Sequence, residues 1–370
     1  MFDRRLFRSF DFLLLLTVIA ILLMSLVVIS SVTMHDLSGD PFFVQRQAMM
    51  FGVGFIILLV IVSIDYTIFY RFTPYLYGIN LLMLLAVLFL GSSAGGAQRW
   101  IELGFFRLQP SEFAKFIIII SLARHMTARE GDFESLFSPI PFFVHVAIPM
   151  GLIFMQPDLG TSLVFIVIVF GMLFMAGAKL RHLAFYAIAG AAVGLPLLYT
   201  RLQEYQRMRL FIFLNPDSDP LHYGYQLIQS MIAVGSGGVW GKGLFADGTQ
   251  IQLDFLPEQH TDFIFSALAE QLGFVGAIVL LLLYLILIFR ILRIGANAKD
   301  TFGMLICFGV ASMLVFQVLV NIGMSIGMMP VTGLPLPFMS YGGSSLLMNM
   351  MAIGLVLNIG MRRHRLMFGN

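Results

Sequence analysis

The chain has 370 residues, of which 59% are hydrophobic and 11% charged, where a soluble domain carries roughly 25% charged. This composition excludes an ordinary water-soluble fold and points to an all-α, polytopic membrane protein, organised as one membrane domain over residues 1–370. A net charge of +2 gives no argument for nucleic acid. The single Cys307 lies in an apolar run and supports neither a disulfide framework nor a cysteine metal site.

At the N-terminus Arg4, Arg5 and Arg8 precede an apolar run over about 12–32. The run is long enough to span a bilayer and exceeds a usual signal-peptide core, so it reads as an uncleaved first helix. Further spans are predicted near 45–64, 75–91, 113–126, 139–156, 161–178, 183–200, 263–292, 302–325 and 341–361, about ten in all. With the first helix starting inside, 14 of the 22 Lys and Arg residues fall on cytoplasmic segments and only four on short outer loops. Both termini are therefore expected in the cytoplasm. A large loop over about 201–262, between the seventh and eighth helices, is then extracytoplasmic. It is the only long polar interval and holds seven of the twenty acidic residues. Gly and Pro punctuation gathers on the same side, at 91–104, 235–243 and 330–343.

Several groups of residues could carry chemistry. Glu112 and Lys115, in Gln109-Pro110-Ser111-Glu112-Phe113-Ala114-Lys115, are three apart and share a helical face. They read either as a helix-start ion pair, with Ser111 a possible cap, or as a substrate-path pair, because ionisable groups in a membrane segment are costly. Asp158, in Gln156-Pro157-Asp158-Leu159-Gly160-Thr161-Ser162, reads as a turn residue and helix cap, or as a carboxylate that holds a cation or a sugar hydroxyl. Arg207, Arg209 and Lys242 in the large loop could clamp a phosphate or pyrophosphate, although a solvated loop or a lipid-headgroup contact would hold the same residues. The Gly-rich stretch around Lys242 lacks the P-loop spacing, which argues against nucleotide binding.

Asp262 follows His260 and Thr261 immediately before the eighth apolar run, with Glu270 eight residues on. One reading makes Asp262 a helix cap, which would depress its pKa. The other makes it a general base, which needs burial to push the pKa back up. Glu270 reads as a buried, hydrogen-bonded group. The stretch from Pro330 to Ser345 is uncharged and punctuated by Pro and Gly, and reads as a rigid re-entrant or surface loop that forms a wall.

Taken together, Pro330 to Ser345, Phe255 to Phe265, Gly241-Lys242-Gly243, Gln109 to Glu112 and Gln156 to Ser162 resemble the SEDS family of shape, elongation, division and sporulation proteins. The resemblance runs over almost the whole chain. Tyr205-Gln206-Arg207, Asp219-Pro220, Gly224-Tyr225-Gln226 and Gly248-Thr249-Gln250 are closer to the elongation branch than to the division branch. The resemblance implies a ten-helix peptidoglycan glycosyltransferase that polymerises lipid II at the outer face, in complex with a class B penicillin-binding transpeptidase and other elongation-complex membrane proteins. It places the essential aspartate on Asp262 and an important outer-loop tryptophan on Trp100, and makes Glu112 with Lys115 a cavity pair. Gln109, Ser111, Asp158, Arg207, Lys242 and His260 complete the expected substrate contacts. Charge on the leaving pyrophosphate would be stabilised by Arg, Lys or a divalent cation, magnesium or manganese, for which no ligands are assigned. Two rival readings are a lipid II flippase and a non-catalytic scaffold for the elongation machinery.

Overall fold

The computed structural model describes residues 9–33, 41–94, 97–102, 104, 107–129, 133, 135–202, 204–219, 224–253 and 255–362. Arg4, Arg5, Arg8, Asp254, Arg363 and Arg365 lie outside these residues, as does Pro220 of the Asp219-Pro220 pair.

The described chain is predominantly helical. Its first half holds α1 (Phe12–Thr33), α2 (Phe42–Ser63), α3 (Thr67–Leu90), α4 (Pro110–Thr127), α5 (Ile140–Met155), α6 (Leu159–Met175) and α7 (Leu180–Arg201). Then come α8 (Glu204–Leu214), a short 3-10 turn (Pro216–Ser218), α9 (Tyr225–Ser236), α10 (Ile264–Ala296), α11 (Thr301–Ser325) and α12 (Gly343–Met361). Each of the ten predicted runs overlaps one of these helices. Six of them, α1, α2, α3, α10, α11 and α12, are long and apolar enough to cross a membrane. Shorter apolar helices lie at Ile140–Met155, Leu159–Met175 and Leu180–Gly194.

The boundaries follow local chemistry. Helix α4 opens with Pro110 at its first position, where the missing N–H costs nothing because that donor has no helical acceptor. Helix α6 is capped by Asp158, which accepts from the Thr161 N–H at 3.2 Å, and α11 by Asp300, which accepts from the Gly303 N–H at 2.8 Å. Helix α3 begins eight residues before the predicted start because it accommodates Pro74 in its interior.

Helix α12 sits in the middle of the core, with nearly every residue buried. It packs along α2 so tightly that a Cβ on Gly354 would lie 3.2 Å from the Leu58 Cα. At one end of the bundle the Arg290 guanidinium on α10 pairs with Asp11, just ahead of α1, at 2.5 Å. This bridge sets the ends of two spans level.

The interval 201–262 is not the open loop expected from its polarity. It contains α8, the 3-10 turn and α9, and α9 buries Leu227, Ser230 and Ala233. Ser230 meets Ser266 of α10 at 2.6 Å and donates to the Ser325 carbonyl of α11 at 2.8 Å. The Gly-rich 91–104 segment supplies β1 (Ser92–Ala94) and β2 (Ala97–Glu102), which with β3 (Arg107–Leu108) form a small antiparallel sheet in the order β1-β2-β3.

Helix α10 is also broken, at Gly273, where φ is 65° and ψ −163°. Residues 238–243 run alongside the break. Gly238 and Val239 carbonyls accept from the Phe274 and Val275 amides at 2.9 and 3.1 Å, and the Lys242 and Gly243 amides donate to the Glu270 and Gln271 carbonyls at 2.9 and 3.0 Å. A Cβ on Gly273 would come 2.2 Å from the Gly241 nitrogen, so the two backbones touch where a side chain cannot fit. Close backbone packing accounts for Gly237 and Gly241, and left-handed backbone for Gly238 and Gly243.

Candidate active site

Asp262 is held by its backbone. The carbonyls of His260, Thr261 and Asp262 accept in turn from the Tyr341 amide at 2.9 Å, the Ser340 hydroxyl at 2.6 Å and the Asn321 side chain at 2.9 Å. The donors belong to α11 and to the segment between α11 and α12. That segment is buried through Leu334, Leu336, Phe338, Met339 and Ser340, as a re-entrant wall must be. Its own carbonyls are satisfied by side chains from four helices: Ser25 to Met339 at 2.6 Å, Gln47 to Ser340 at 3.2 Å, Tyr284 to Pro337 at 2.6 Å and Asn321 to Leu334 at 2.8 Å.

The side chain of Asp262 is not spent on the helix. The cap position of α10 is Phe263, and no side-chain hydrogen bond closes that terminus. The carboxylate instead lies near Gly333, as does the Arg209 guanidinium; a Cβ built there would sit 3.5 Å from Asp262 Oδ2 and 3.9 Å from Arg209 Nη1. Asp262 is half-buried, with part of its surface open to solvent while protein crowds its carboxyl. Desolvation by that crowding pushes the carboxyl up to about 6; Arg209 and Arg99 pull it down, and Glu258 and Asp158 push it up. The expected contest between capping and burial is therefore won by burial.

Asp158 organises the neighbouring cluster. It accepts from the Thr161 amide and hydroxyl at 3.2 and 3.0 Å and from the Ser111 hydroxyl at 3.3 Å, with Arg99 Nη1 4.0 Å away. Ser111 is thus inside α4 and bonded across to Asp158, while the cap position of α4 is Gln109. Gln109 donates its side-chain amide to Ser111 at 3.2 Å and its backbone amide to Ser344 at 3.0 Å, tying α4 to the start of α12. Arg99 donates to the Gln156 carbonyl at 3.2 Å and also to that of Pro157. Trp100, half-buried, is its neighbour on β2 and pairs with Ser92.

Deeper on α4, Lys115 Nζ meets Glu112 Oε1 at 2.7 Å, with both side chains buried. The second Glu112 oxygen has no hydrogen-bond partner among the described residues. A buried ion pair of this kind is held by mutual neutralisation, and its spare oxygen is a ready acceptor.

Among the described residues, no group of three or more His, Cys, Asp or Glu side chains is arranged to hold a metal ion.

A family model described as cell cycle protein, covering FtsW, RodA and SpoVE, matches residues 10–365. The chain belongs to the FtsW/RodA/SpoVE family. It is 42% identical to peptidoglycan glycosyltransferase MrdB of Escherichia coli K12 over 348 residues, 94% of this chain and 93% of the relative. It is 37% identical to a probable peptidoglycan glycosyltransferase FtsW of Trichlorobacter lovleyi, over 95% of this chain and 93% of the relative. Among solved structures, a chain from a peptidoglycan synthase complex, studied for coordination of polymerization and crosslinking, superposes with a TM-score of 0.82 at 32% identity, covering 96% of this chain and 99% of that one. Thermus thermophilus RodA superposes at 0.72 with 31% identity, covering 96% and 98%. The family and its elongation branch, read from motifs, agree with these similarities.

Not every expected contact gathers around Asp262. Arg207 is exposed and donates to the Thr200 carbonyl at 3.2 Å, whereas Arg209 turns toward Asp262. Two residues apart on α8, the pair cannot share a face, and of the two it is Arg209 that lies near Asp262. Lys242 is paired with buried Glu270 at 2.6 Å. Glu270 also accepts from Ser236 at 3.2 Å and from the Gln250 and Ile251 amides at 2.9 and 3.1 Å, the buried, hydrogen-bonded role its depth suggested. The His260 ring packs against Phe43 and Tyr341, at 4.7 and 5.6 Å between centroids. Arg99 and Glu258 went unweighted in the sequence because nothing in their spacing connects them to Asp262.

Proposed function

We propose that this chain is a peptidoglycan glycosyltransferase that polymerises lipid II into β-1,4 glycan during cell elongation, with Asp262 as its general base. The observation that carries the reading is an uncapped carboxylate, part-open to solvent, whose pKa is pushed up to about 6 beside Arg209. Catalytic bases work best when their pKa lies near the operating pH, and such a group typically contributes roughly 10² to 10⁴-fold.

In this mechanism Asp262 takes the proton of the acceptor 4-hydroxyl as its oxygen bonds to the donor C1. The α-linked bond from C1 to pyrophosphate breaks with inversion, and its electron pair leaves on the lipid pyrophosphate. One carboxylate suffices because there is no glycosyl-enzyme intermediate, unlike a retaining glycosidase. The leaving group needs charge stabilisation and not an acid. Arg209 and Arg99 are the cations nearest in influence to Asp262, and Arg presents paired donors that suit phosphate oxygens. Ser111, Gln109 and Trp100 would line the sugar and peptide side, and the spare Glu112 oxygen would accept from substrate.

The topology that suits this chemistry has about ten spans, both termini in the cytoplasm and Asp262 on the outer face, where lipid II presents its sugars. The partner is a class B penicillin-binding transpeptidase, consistent with the similarity to a chain from a peptidoglycan synthase complex.

The test is polymerisation of lipid II by purified protein with its partner, with and without divalent cation. Asp262→Asn should abolish glycan product while remaining folded in detergent. Retained synthesis sinks the assignment of Asp262. Transport of lipid II without polymer would favour the flippase reading.

A further inference from the structure

The segment Val239 to Phe245 carries large apolar side chains that the protein leaves uncovered. Trp240 is 80% exposed, Val239 58%, and Leu244 and Phe245 37% each. Between them Lys242, the only charged residue of the segment, is exposed but neutralised by its pairing with buried Glu270 at 2.6 Å.

Two independent rulers fix the height of this segment. The Asp11–Arg290 bridge marks one edge of the membrane on α1 and α10 together, because a charged pair at a span end belongs at the interface. Counting about 20 residues along α10 from Arg290, about 30 Å of helix, reaches Glu270, three residues past the break at Gly273. The same count along α1 from Asp11 reaches Ser31. Residues 239–245 are bonded at both points: the Lys242 amide donates to the Glu270 carbonyl at 2.9 Å, and the Phe245 amide donates to Ser31 Oγ at 2.8 Å. The segment therefore lies along the opposite membrane edge, across the ends of both spans. Its apolar side chains continue the exposed face that α10 presents to lipid through Phe274 and Val275, 62% and 38% exposed.

We infer that Val239, Trp240, Leu244 and Phe245 form a lipid anchor that seats the segment before Asp262 in the headgroup layer of the leaflet on Asp262's side. An aromatic with an N–H at its edge is suited to that layer, where apolar body and polar group are both satisfied. Lys242 bonded to Glu270 fixes the backbone from beneath, and the lipid fixes it from above.

The chain has two tryptophans, so Trp100→Phe leaves Trp240 as the sole reporter. In lipid nanodiscs its emission should be lost more to lipids brominated near the headgroup than to lipids brominated near the chain end, and should resist aqueous iodide. If Trp100→Phe fails to fold, Trp240→Cys carrying a nitroxide replaces it, with buried Cys307 unreactive; collisions with oxygen and a water-soluble nickel chelate should then place the label at the interface. Free access to iodide or nickel without lipid quenching would overturn the anchor. Protection from both water and lipid would overturn it in favour of a protein surface.

Discussion

Replacing Asp262 with alanine should make the protein more stable at alkaline pH while removing its activity. The carboxyl is pushed from 3.8 to about 6, so the ionised form in the folded protein is disfavoured by about 3 kcal/mol at most. Partial solvent access screens that cost, which leaves about 1–2 kcal/mol. Between pH 3.8 and about 6 the folded protein holds a proton that the unfolded chain has already released. Stability therefore falls as pH rises through this window and stays lower above it. Asp262→Ala removes the penalty, so its melting temperature should exceed that of the wild type at pH 8 and converge with it near pH 4. A capping aspartate predicts the reverse sign, a loss of roughly 1 kcal/mol at pH 8. Thermal unfolding of both proteins in detergent across this pH range decides between them. An alanine variant less stable than wild type at pH 8 would refute the reasoning.

Arg209→Gln should move the acidic limb of the polymerisation pH profile upward, because its cation lowers the pKa of Asp262, while Arg207→Gln should leave that limb in place. Glu112→Ala strands Lys115 without its partner and should cost about 3–5 kcal/mol; Glu112→Met with Lys115→Met should recover much of that, measured by thermal unfolding. Gly273→Ala should lose about 1–3 kcal/mol, because the new Cβ collides with the Gly241 nitrogen in a conformation suited to glycine. Gly52→Ala, which meets nothing within 4 Å, is the control and should leave the melting temperature nearly unchanged.

The helices were legible in the sequence because apolar runs have to be long in a membrane, and Asp158 as a cap was legible because its turn chemistry is local. Helix α9 was hidden by its shortness within a polar interval, although Leu227, Ser230 and Ala233 recur every third residue and carry the signal of a one-sided helix. The break at Gly273 left no local trace: an apolar run with one glycine reads as continuous, and only the approach of Gly241, 32 residues earlier, requires the break. Arg209, Arg99 and Glu258 converge on Asp262 from α8, β2 and the turn before α10. Spacing within one element cannot reveal a meeting of three.

The three consecutive carbonyls that hold Asp262 set where motion has to occur. They are gripped by Tyr341, Ser340 and Asn321, and the first two belong to a segment itself gripped from α1, α2, α10 and α11. Displacing Asp262 would break bonds on several helices at once, so its backbone is a fixed point of the described structure. Helix α7, by contrast, leaves most of its described side chains exposed and packs mainly along α6. Sparse packing is where opening is least costly. In the proposed mechanism that contrast would keep Asp262 in register while leaving compliance to α7.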